Sequence, residues 1–356
     1  MALGCKTSKT SEAAETGLSS SPRMWDELSV STSRLILLSI AAAYGTNYSA
    51  VKTLSDQLDP SVASLLRFGL SSVAFLPFVL KHKATPSLVK SAVEIGALNF
   101  CGYFGQAVAL NEGLSASAVA FICSLAVVVV PALDALFPLS GERGAVQNDN
   151  SSNKNILVFV PSIISALGVG FLTEFGSDAA TASAASGAVA DGAGGSALGY
   201  MAALLQPLLF GWAYWRQPQL LRETCSEPGH YLAFTGTSLL AVFTGSAIWA
   251  VDEGIDVESV STFLSQTTQG PNSALLAILW TGLVTTAGTT LLENIAMKQV
   301  TGTESTVIYS TEPLFATFFG FVLLGEALGR NTVIGGSLII SAILLSVKLD
   351  EKREDS

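Results

Sequence analysis

The sequence predicts an all-α integral membrane protein with ten transmembrane helices in two inverted five-helix repeats. Three observations predict this fold class: an apolar composition, ten apolar segments of membrane-spanning length, and positive charges that fall on alternate connections. The chain is 49% hydrophobic and 13% charged, whereas soluble domains usually have about 25% charged residues. A mean hydropathy of +0.51 agrees with a membrane protein.

The apolar segments determine the number of helices. Crossing the roughly 30 Å of bilayer hydrocarbon takes about 20 mainly apolar residues, and helices satisfy every backbone group within the segment. A β-barrel would alternate apolar and polar residues, but Phe121–Pro131 is almost continuously apolar. The predicted spans are 34–55, 60–81, 91–111, 115–137, 156–175, 197–216, 230–251, 273–295, 303–324 and 331–349.

Composition divides the chain into five parts. Residues 1–33 are rich in Ser, Thr, Glu and Lys and are predicted to be a disordered cytosolic segment. The first repeat covers 34–175, and the Ala/Gly/Ser-rich residues 176–196 predict a flexible loop. The second repeat covers 197–349, and residues 350–356 form a charged cytosolic tail. The charged stretch Lys348–Ser356 is predicted to be frayed.

The Lys and Arg residues predict the orientation. With the N-terminus in the cytosol, all but three of the 18 Lys and Arg residues lie on the cytosolic side. The exceptions are Lys52 and Arg330 at outer helix edges and Arg67 within a span. The positive-inside rule therefore predicts an even number of helices with both termini in the cytosol. The membrane is the plasma membrane or that of an organelle, the plastid envelope included.

The two halves of the sequence resemble each other. A shift of 187 residues places Ala109–Phe121 on Ala296–Ile308, and both segments run from one helix through a short turn into the next. Each half has five predicted helices, and because five is odd, the second half enters the membrane from the opposite side. Inverted repeats of this kind are common in secondary transporters, whose site lies near the midplane.

Several short motifs are distributed over residues 34–348. In chain order they are Ala43–Asn47, Leu66–Phe68, Ser115–Pro131 followed by Gly141–Arg143, Thr311–Ala316, Leu324–Leu328 and Ile334–Ile339. Their order and spacing resemble the EamA-type members of the drug/metabolite transporter superfamily. The resemblance implies ten helices in two inverted repeats and transport of small organic solutes. One departure is that the interval from Pro131 to Glu142 is shorter than that from Pro313 to Glu326. The family's substrates are diverse, so the resemblance does not identify the solute.

Polar side chains within apolar helices are the first candidates for a solute site. Asn99 and Gln106 are seven positions apart and share one face of helix 3. The 187-residue shift places Thr286 and Glu293 on the same face of helix 8. Because polar groups in lipid are costly and usually face the bundle interior, these stripes are interpreted as two walls of a cavity at matching depth. The alternative is a set of interhelical hydrogen bonds, each worth about 0.6 kcal/mol.

Helix 9 and helix 2 contribute ionisable candidates. Tyr309 and Glu312 are three apart, and Pro313 permits a kink. Glu312 is predicted either to bind a proton or a substrate amine, or to form a structural bond with a neighbouring helix. Arg67 is the cation deepest in a span; it is predicted to bind an anionic substrate group or to pair with a carboxylate such as Glu94 or Glu312.

The remaining lining candidates lie on helices 1 and 6. Tyr44 and Asn47 belong to helix 1, and Gln206 belongs to helix 6. Trp212 is a further candidate, but together with Tyr214 and Trp215 it favours an aromatic belt at the membrane interface.

Other function classes are disfavoured. A net charge of −10 offers no basic face for nucleic acid. The two histidines and four cysteines are scattered, and no Walker motif is present, so we predict no enzyme activity, no metal and no cofactor. The sequence predicts a secondary carrier or exchanger of small organic metabolites that works by alternating access. The alternatives are a passive facilitator or channel, or a membrane scaffold without transport. The predicted partners are the lipid bilayer and a small-molecule solute, with a proton or counter-substrate for coupling; the oligomeric state is left open.

The orientation can be tested by cysteine labelling. An impermeant thiol reagent should modify Thr262→Cys in intact cells, because this residue follows helix 7 on the predicted outer side. Asn150→Cys should react only after permeabilisation. Labelling of Asn150→Cys in intact cells would contradict the predicted orientation.

Overall fold

The described part of this computed structural model is helical throughout its regular elements. It comprises residues 28–55, 58–82, 84–112, 119, 122–137, 152–174, 197–255, 258, 260–261, 265, 273–324 and 330–354. Within these ranges ten helical segments follow one another, each at a predicted span, so the predicted number is confirmed. They are α1 (Val30–Ser55), α2 (Pro60–Lys81), α3 (Pro86–Asn111), α4 (Ala126–Leu136), α5 (Ser152–Glu174), α6 (Ala197–Thr224), α7 (Pro228–Asp252), α8 (273–297), α9 (302–324) and α10 (Arg330–Glu354).

The outer surface of the bundle is suited to lipid. Helices α2 and α7 and the stretch Leu275–Met297 of α8 have the length and hydropathy of membrane spans, and shorter apolar stretches lie in α4, α5 and α10. Large apolar side chains face outward, such as Leu80 with 77% of its surface exposed and Met201 with 68%. Soluble proteins rarely expose so much contiguous apolar surface, so this face is the one that contacts the hydrocarbon of the bilayer.

Several helices are longer than their apolar segments. Helix α1 begins at Val30, α6 continues to Thr224, and α10 continues to Glu354. The prediction of a frayed tail from Lys348 onward was therefore wrong as far as Glu354. Hydropathy reports where the membrane ends, whereas the charged residues beyond it, such as Lys348 and Glu351, are good helix formers and extend the helix.

Some predicted features lie outside the described residues. They are the N-terminal segment up to residue 27, the predicted flexible loop at 176–196, and the motif residues 113–118, 141–143 and 325–328.

Helix α8 changes its winding in the middle. It begins as an α-helix at Ser273–Leu279, becomes a π-helix at Trp280–Gly288, and returns to an α-helix at Thr289–Met297. A π-helix has i→i+5 hydrogen bonds, is rare, and is frequently found at functional sites. Within this π-helix, Thr285 donates to Asn47 of α1, and its neighbour Thr286 accepts from Arg67 of α2. Two consecutive residues of the π-helix therefore form hydrogen bonds with two different helices, α1 and α2.

Helix α9 is interrupted near its middle, as Pro313 predicted. Its pieces are Gly302–Tyr309 and Glu312–Leu324, joined by a turn at residues 310–311. Pro313 has no N–H to donate to the carbonyl four residues earlier, at Tyr309, so the regular ladder stops there. Tyr309 is therefore the last residue of the first piece, and Glu312 is the first residue of the second.

The helices pack in a regular set of pairs. Helix α3 packs against α6 and α7, and α8 packs against α1 and α2. Helix α4 contacts α6, α9 contacts α1, α2 contacts α7, and α5 contacts α10. The largest apolar cluster includes the fully buried Leu37, Leu221, Phe234 and Met297. Its members lie at the predicted cytosolic ends of their helices, so this end of the bundle is closed.

Two glycines allow helices to approach closely. A methyl group on Gly45 of α1 would lie 2.7 Å from Cβ of Phe315 and 2.8 Å from the backbone nitrogen of Ala316, both on α9. A methyl group on Gly211 of α6 would lie 2.7 Å from Cγ1 of Val129 on α4. Small residues at such crossings are the usual basis of helix packing in membranes.

The close approach at Gly45 gives a stability prediction. We expect Gly45→Ala to lower the free energy of unfolding by about 1–3 kcal/mol, because the added methyl group meets backbone atoms that cannot move away. The matched control is Gly69→Ala, where the nearest atom is the end of the Phe243 ring at 3.2 Å, which can shift. Thermal unfolding in detergent compares the two variants. A Gly45→Ala protein as stable as Gly69→Ala would contradict the packing.

Candidate functional site

The carboxylate of Glu293 lies inside the helix bundle. Only 7% of the residue's surface is exposed. The Tyr44 hydroxyl donates to Oε2 at 3.3 Å, and Nε2 of Gln217 donates to Oε1 at 3.4 Å. Both distances are longer than the usual 2.7–3.2 Å. In the described part of the chain, no Lys, Arg or His nitrogen lies within 4.0 Å of this carboxylate.

A chain of hydrogen bonds continues from Glu293 through three helices. Nε2 of Gln217 on α6 also donates to Oδ1 of Asn294 on α8, at 2.8 Å. Nδ2 of Asn294 then donates to the hydroxyl of Thr235 on α7, at 2.9 Å. With Tyr44 of α1 at its other end, this polar chain links α1, α6, α7 and α8. We call these five residues the polar chain.

A small cavity lies beside the polar chain. It has a volume of about 30 Å³, which is room for one or two water molecules. Its lining comes from α1, α3, α6, α7 and α8 and contains one carboxylate and no Lys, Arg or His. The lining residues are Tyr44, Ile95, Asn99, Tyr103, Phe210, Tyr214, Gln217, Ser238, Thr290, Glu293 and Asn294.

Aromatic rings surround much of this cavity. Tyr103 and Phe210 meet edge to face, with ring centroids 5.0 Å apart. Behind the lining, the ring of Tyr309 lies 5.5 Å from that of Tyr214 and 6.2 Å from that of Tyr44. The Tyr309 hydroxyl lies close to Glu293, but no hydrogen bond of normal geometry forms.

Arg67 and Asn47 form a second polar region next to the cavity. Nε of Arg67 donates to the Thr286 hydroxyl at 2.6 Å, and its guanidinium carbon lies 5.7 Å from the centre of the Tyr103 ring. A cation above an aromatic ring at this distance is stabilised by the ring's negative face. Thr285 donates to Asn47 at 2.9 Å. Both residues therefore contact the π-helix, and Arg67 also lies against Tyr103, which lines the cavity.

One of the two carboxylates that the sequence suggested as partners of Arg67 pairs with another arginine. Glu94 of α3 pairs with Arg216 of α6 at 3.3 Å. This pair joins two helices that flank the cavity.

The predicted site residues fall into three groups. Tyr44, Asn99 and Glu293 line the cavity. Tyr309 and Arg67 contact rings of the lining, and Asn47 contacts α8 at Thr285. The lining does not include Gln106, Gln206 or Glu312. Gln206 is buried within α6, and its Oε1 has no hydrogen-bond partner in the described part of the chain. A place for these three residues on the solute pathway stays a prediction.

Sequence reasoning missed several members of the site. Gln217, Asn294 and Tyr103 were not singled out, and Tyr214 was assigned with Trp215 to an interfacial belt. Tyr214 instead lines the cavity, and Trp215 is only 6% exposed. The signal that could have found them is spacing: Phe210, Tyr214 and Gln217 follow one another at intervals of four and three, which places them on one face of α6.

A comparison with known proteins agrees with this architecture. The model of the EamA-like transporter family matches residues 257–348. An uncharacterized transporter of Archaeoglobus fulgidus is 23% identical over 306 residues, which is 86% of this chain and 82% of that protein. The permease-like protein YdzE of Bacillus subtilis (strain 168) is 35% identical over 78 residues, which is 22% of this chain and 100% of that protein.

A solved crystal structure shares the fold. It superposes with a TM-score of 0.66 at 15% identity and covers 91% of this chain and 100% of its own. Together with the family model and the two relatives, the ten apolar helices identify the protein as a multi-pass membrane transporter. The chain belongs to the EamA-like transporter family.

Proposed function

We propose that this transporter is a secondary carrier or exchanger that moves small organic metabolites by alternating access, with its solute site in the cavity at Glu293. The observation that carries the proposal is a carboxylate buried in a membrane bundle without a cationic partner in the described residues. Ionisable groups inside the membrane are costly, and those that persist usually mark pathways for solutes or protons.

The packing of the helices supports two inverted repeats, 34–175 and 197–349. Each helix of the first half has an equivalent five places later in the second half. When every helix in a contacting pair is replaced by its equivalent, the result is another contacting pair. The contact of α3 with α6 becomes that of α8 with α1, and the contact of α4 with α6 becomes that of α9 with α1. The pairs α2–α7 and α5–α10 map onto themselves.

Individual residues support the same equivalence of the two halves. The close approach of Gly45 to α9 has its counterpart in the approach of Gly211 to α4. Helices α5 and α10 also share the sequence Ile-Ile-Ser-Ala, at 163–166 and 339–342. In an inverted repeat the two halves adopt exchanged conformations, which is the usual structural basis of alternating access.

The closed end of the bundle indicates which contacts must open. At the predicted cytosolic end, Arg34 of α1 forms an ion pair with the buried Glu304 of α9, and Thr303 donates to Asp134 of α4 at 2.8 Å. Both contacts involve the first piece of α9, which ends at the turn before Pro313. In this proposal, movement of that piece about the turn breaks both contacts and opens the cavity toward the cytosol, with both termini on that side.

The closed cavity favours a carrier over the alternatives. A channel needs a continuous path for the solute, whereas the cavity beside Glu293 has a volume of only about 30 Å³. A scaffold without transport would have no use for a polar chain in the membrane interior, since hydrogen bonds there add little stability, about 0.6 kcal/mol each.

The proposal predicts that transport depends on Glu293. A panel of labelled metabolites is first screened for uptake by the full-length protein in proteoliposomes. We expect Glu293→Gln to lower uptake of the accepted solute at least about tenfold, because the loss of one charge-assisted contact costs about 1.5–3 kcal/mol of binding. The matched control is Glu223→Gln, an exposed carboxylate at the end of α6, which should retain uptake. Normal uptake by Glu293→Gln would remove the cavity from the pathway.

The same proteoliposomes test a proton as the coupling ion. The groups that face Glu293 are Tyr44, Tyr309 and Gln217, and no cation is among them. A desolvated carboxylate of this kind can take up a proton. We expect an imposed pH gradient to change the uptake rate, an effect lost in Glu293→Gln and retained in Glu312→Gln. Equal rates with and without the gradient would exclude proton coupling and leave exchange against a counter-substrate.

A further inference from the structure

The chemistry of the cavity lining identifies a class of solute. We propose that the site at Glu293 binds solutes through an organic ammonium group, so that this transporter carries amines or quaternary ammonium compounds. The inference rests on the proposed function, because it takes the cavity to be the solute site, and it adds the substrate class.

The charge of the lining is the first argument. Glu293 is the one carboxylate among the lining residues, and neither the lining nor the 4.0 Å surroundings in the described chain supply a cation. A buried charge is costly unless it is paired. A cationic ligand supplies the missing partner, whereas an anionic ligand would place a second negative charge beside the first.

The aromatic rings are the second argument. Tyr44, Tyr103, Phe210 and Tyr214 all face the same small space as the carboxylate. Aromatic faces attract ammonium groups, and rings arranged around a site are the common means of recognising alkylated ammonium. A carboxylate among such rings combines the two interactions that a cationic nitrogen makes best.

Arg67 is less available than Glu293 to a solute in the cavity, because it is not among the lining residues. Its Nε donates to the Thr286 hydroxyl at 2.6 Å, and its guanidinium lies against the rings of Phe68 and Tyr103. A neutral polyhydroxy solute could use Asn99 and the rings, but it would leave Glu293 without a counter-charge.

The contacts of Glu293 allow a ligand to replace them. Its hydrogen bonds from Tyr44 and Gln217 are long, at 3.3 Å and 3.4 Å, and hence weak. Gln217 keeps its shorter bond to Asn294 at 2.8 Å when it leaves the carboxylate. The lining residues must move to admit anything larger than water. The hydrogen bonds from Tyr44 and Gln217 to Glu293 are long, so breaking them costs little free energy.

Calorimetric titration of the purified full-length protein in lipid nanodiscs tests the charge preference. The probes are butylammonium, butan-1-ol and butanoate, which share one alkyl chain and differ in the charge of the head group. We expect butylammonium to bind at least tenfold more tightly than either of the others. Equal or tighter binding of butan-1-ol or butanoate, or no binding of butylammonium at millimolar concentration, would overturn the inference.

Variants locate the binding to this cavity. Glu293→Gln should weaken butylammonium binding at least tenfold, and the surface control Glu223→Gln should not. Tyr214→Leu should bind butylammonium about 5- to 30-fold more weakly than Tyr214→Phe, because only the second variant keeps the ring. Equal binding by the two Tyr214 variants would overturn the role of the rings, and this pair remains informative if Glu293→Gln does not fold.

The outcomes separate this inference from the proposed function. Ammonium-selective binding without uptake of any solute would support the substrate class and contradict the carrier. Uptake of anionic or neutral metabolites, lost in Glu293→Gln and not inhibited by butylammonium, would support the carrier and overturn the substrate class.

Discussion

The placement of one carboxylate, Glu293, in the interior of an apolar bundle is the constraint on which the site depends. A charge in such surroundings is costly and needs partners, yet its hydrogen bonds from Tyr44 and Gln217 are long. The amides of Gln217 and Asn294 and the hydroxyl of Thr235 extend these contacts to α6, α8 and α7. Aromatic rings surround a space beside the carboxylate, and none of the described residues that line this space is Lys, Arg or His. In the proposal above, a cationic solute supplies that charge from outside the chain.

The polar chain connects the site to the helices that move in the proposed carrier. The polar chain joins α1 of the first half to α6, α7 and α8 of the second, so a ligand that replaces its contacts acts on both halves. Helix α1 also forms the ion pair of Arg34 with Glu304, and α9 approaches α1 closely at Gly45. Opening at the predicted cytosolic end and rearrangement at Glu293 thus share one helix, which gives the proposed carrier a direct mechanical link between solute binding and access.

Much of the fold could be predicted from the sequence, because hydropathy reports membrane spans directly and polar residues such as Tyr44, Asn99 and Glu293 are conspicuous within them. The π-helix in α8 could not, since a change of winding leaves hydropathy unaltered. The predicted span ended at residue 216, so Tyr214 was assigned to the membrane interface and Gln217 was left outside the span. Helix α6 continues to Thr224 and keeps both residues inside the bundle. The 187-residue shift pairs Asn99 with Thr286 and so predicts that these two residues lie at the same depth. In the structure Asn99 instead shares the cavity with Glu293, as expected when the two equivalent helices run in opposite directions.

The most direct test of the account is an experimental structure of the full-length protein in lipid with a bound transported solute. The account predicts density for the solute between Glu293 and the ring of Tyr214, with a cationic nitrogen within hydrogen-bond distance of the carboxylate and the bonds from Tyr44 and Gln217 displaced. Density for the solute elsewhere, with the polar chain and the cavity at Glu293 unchanged, would contradict it.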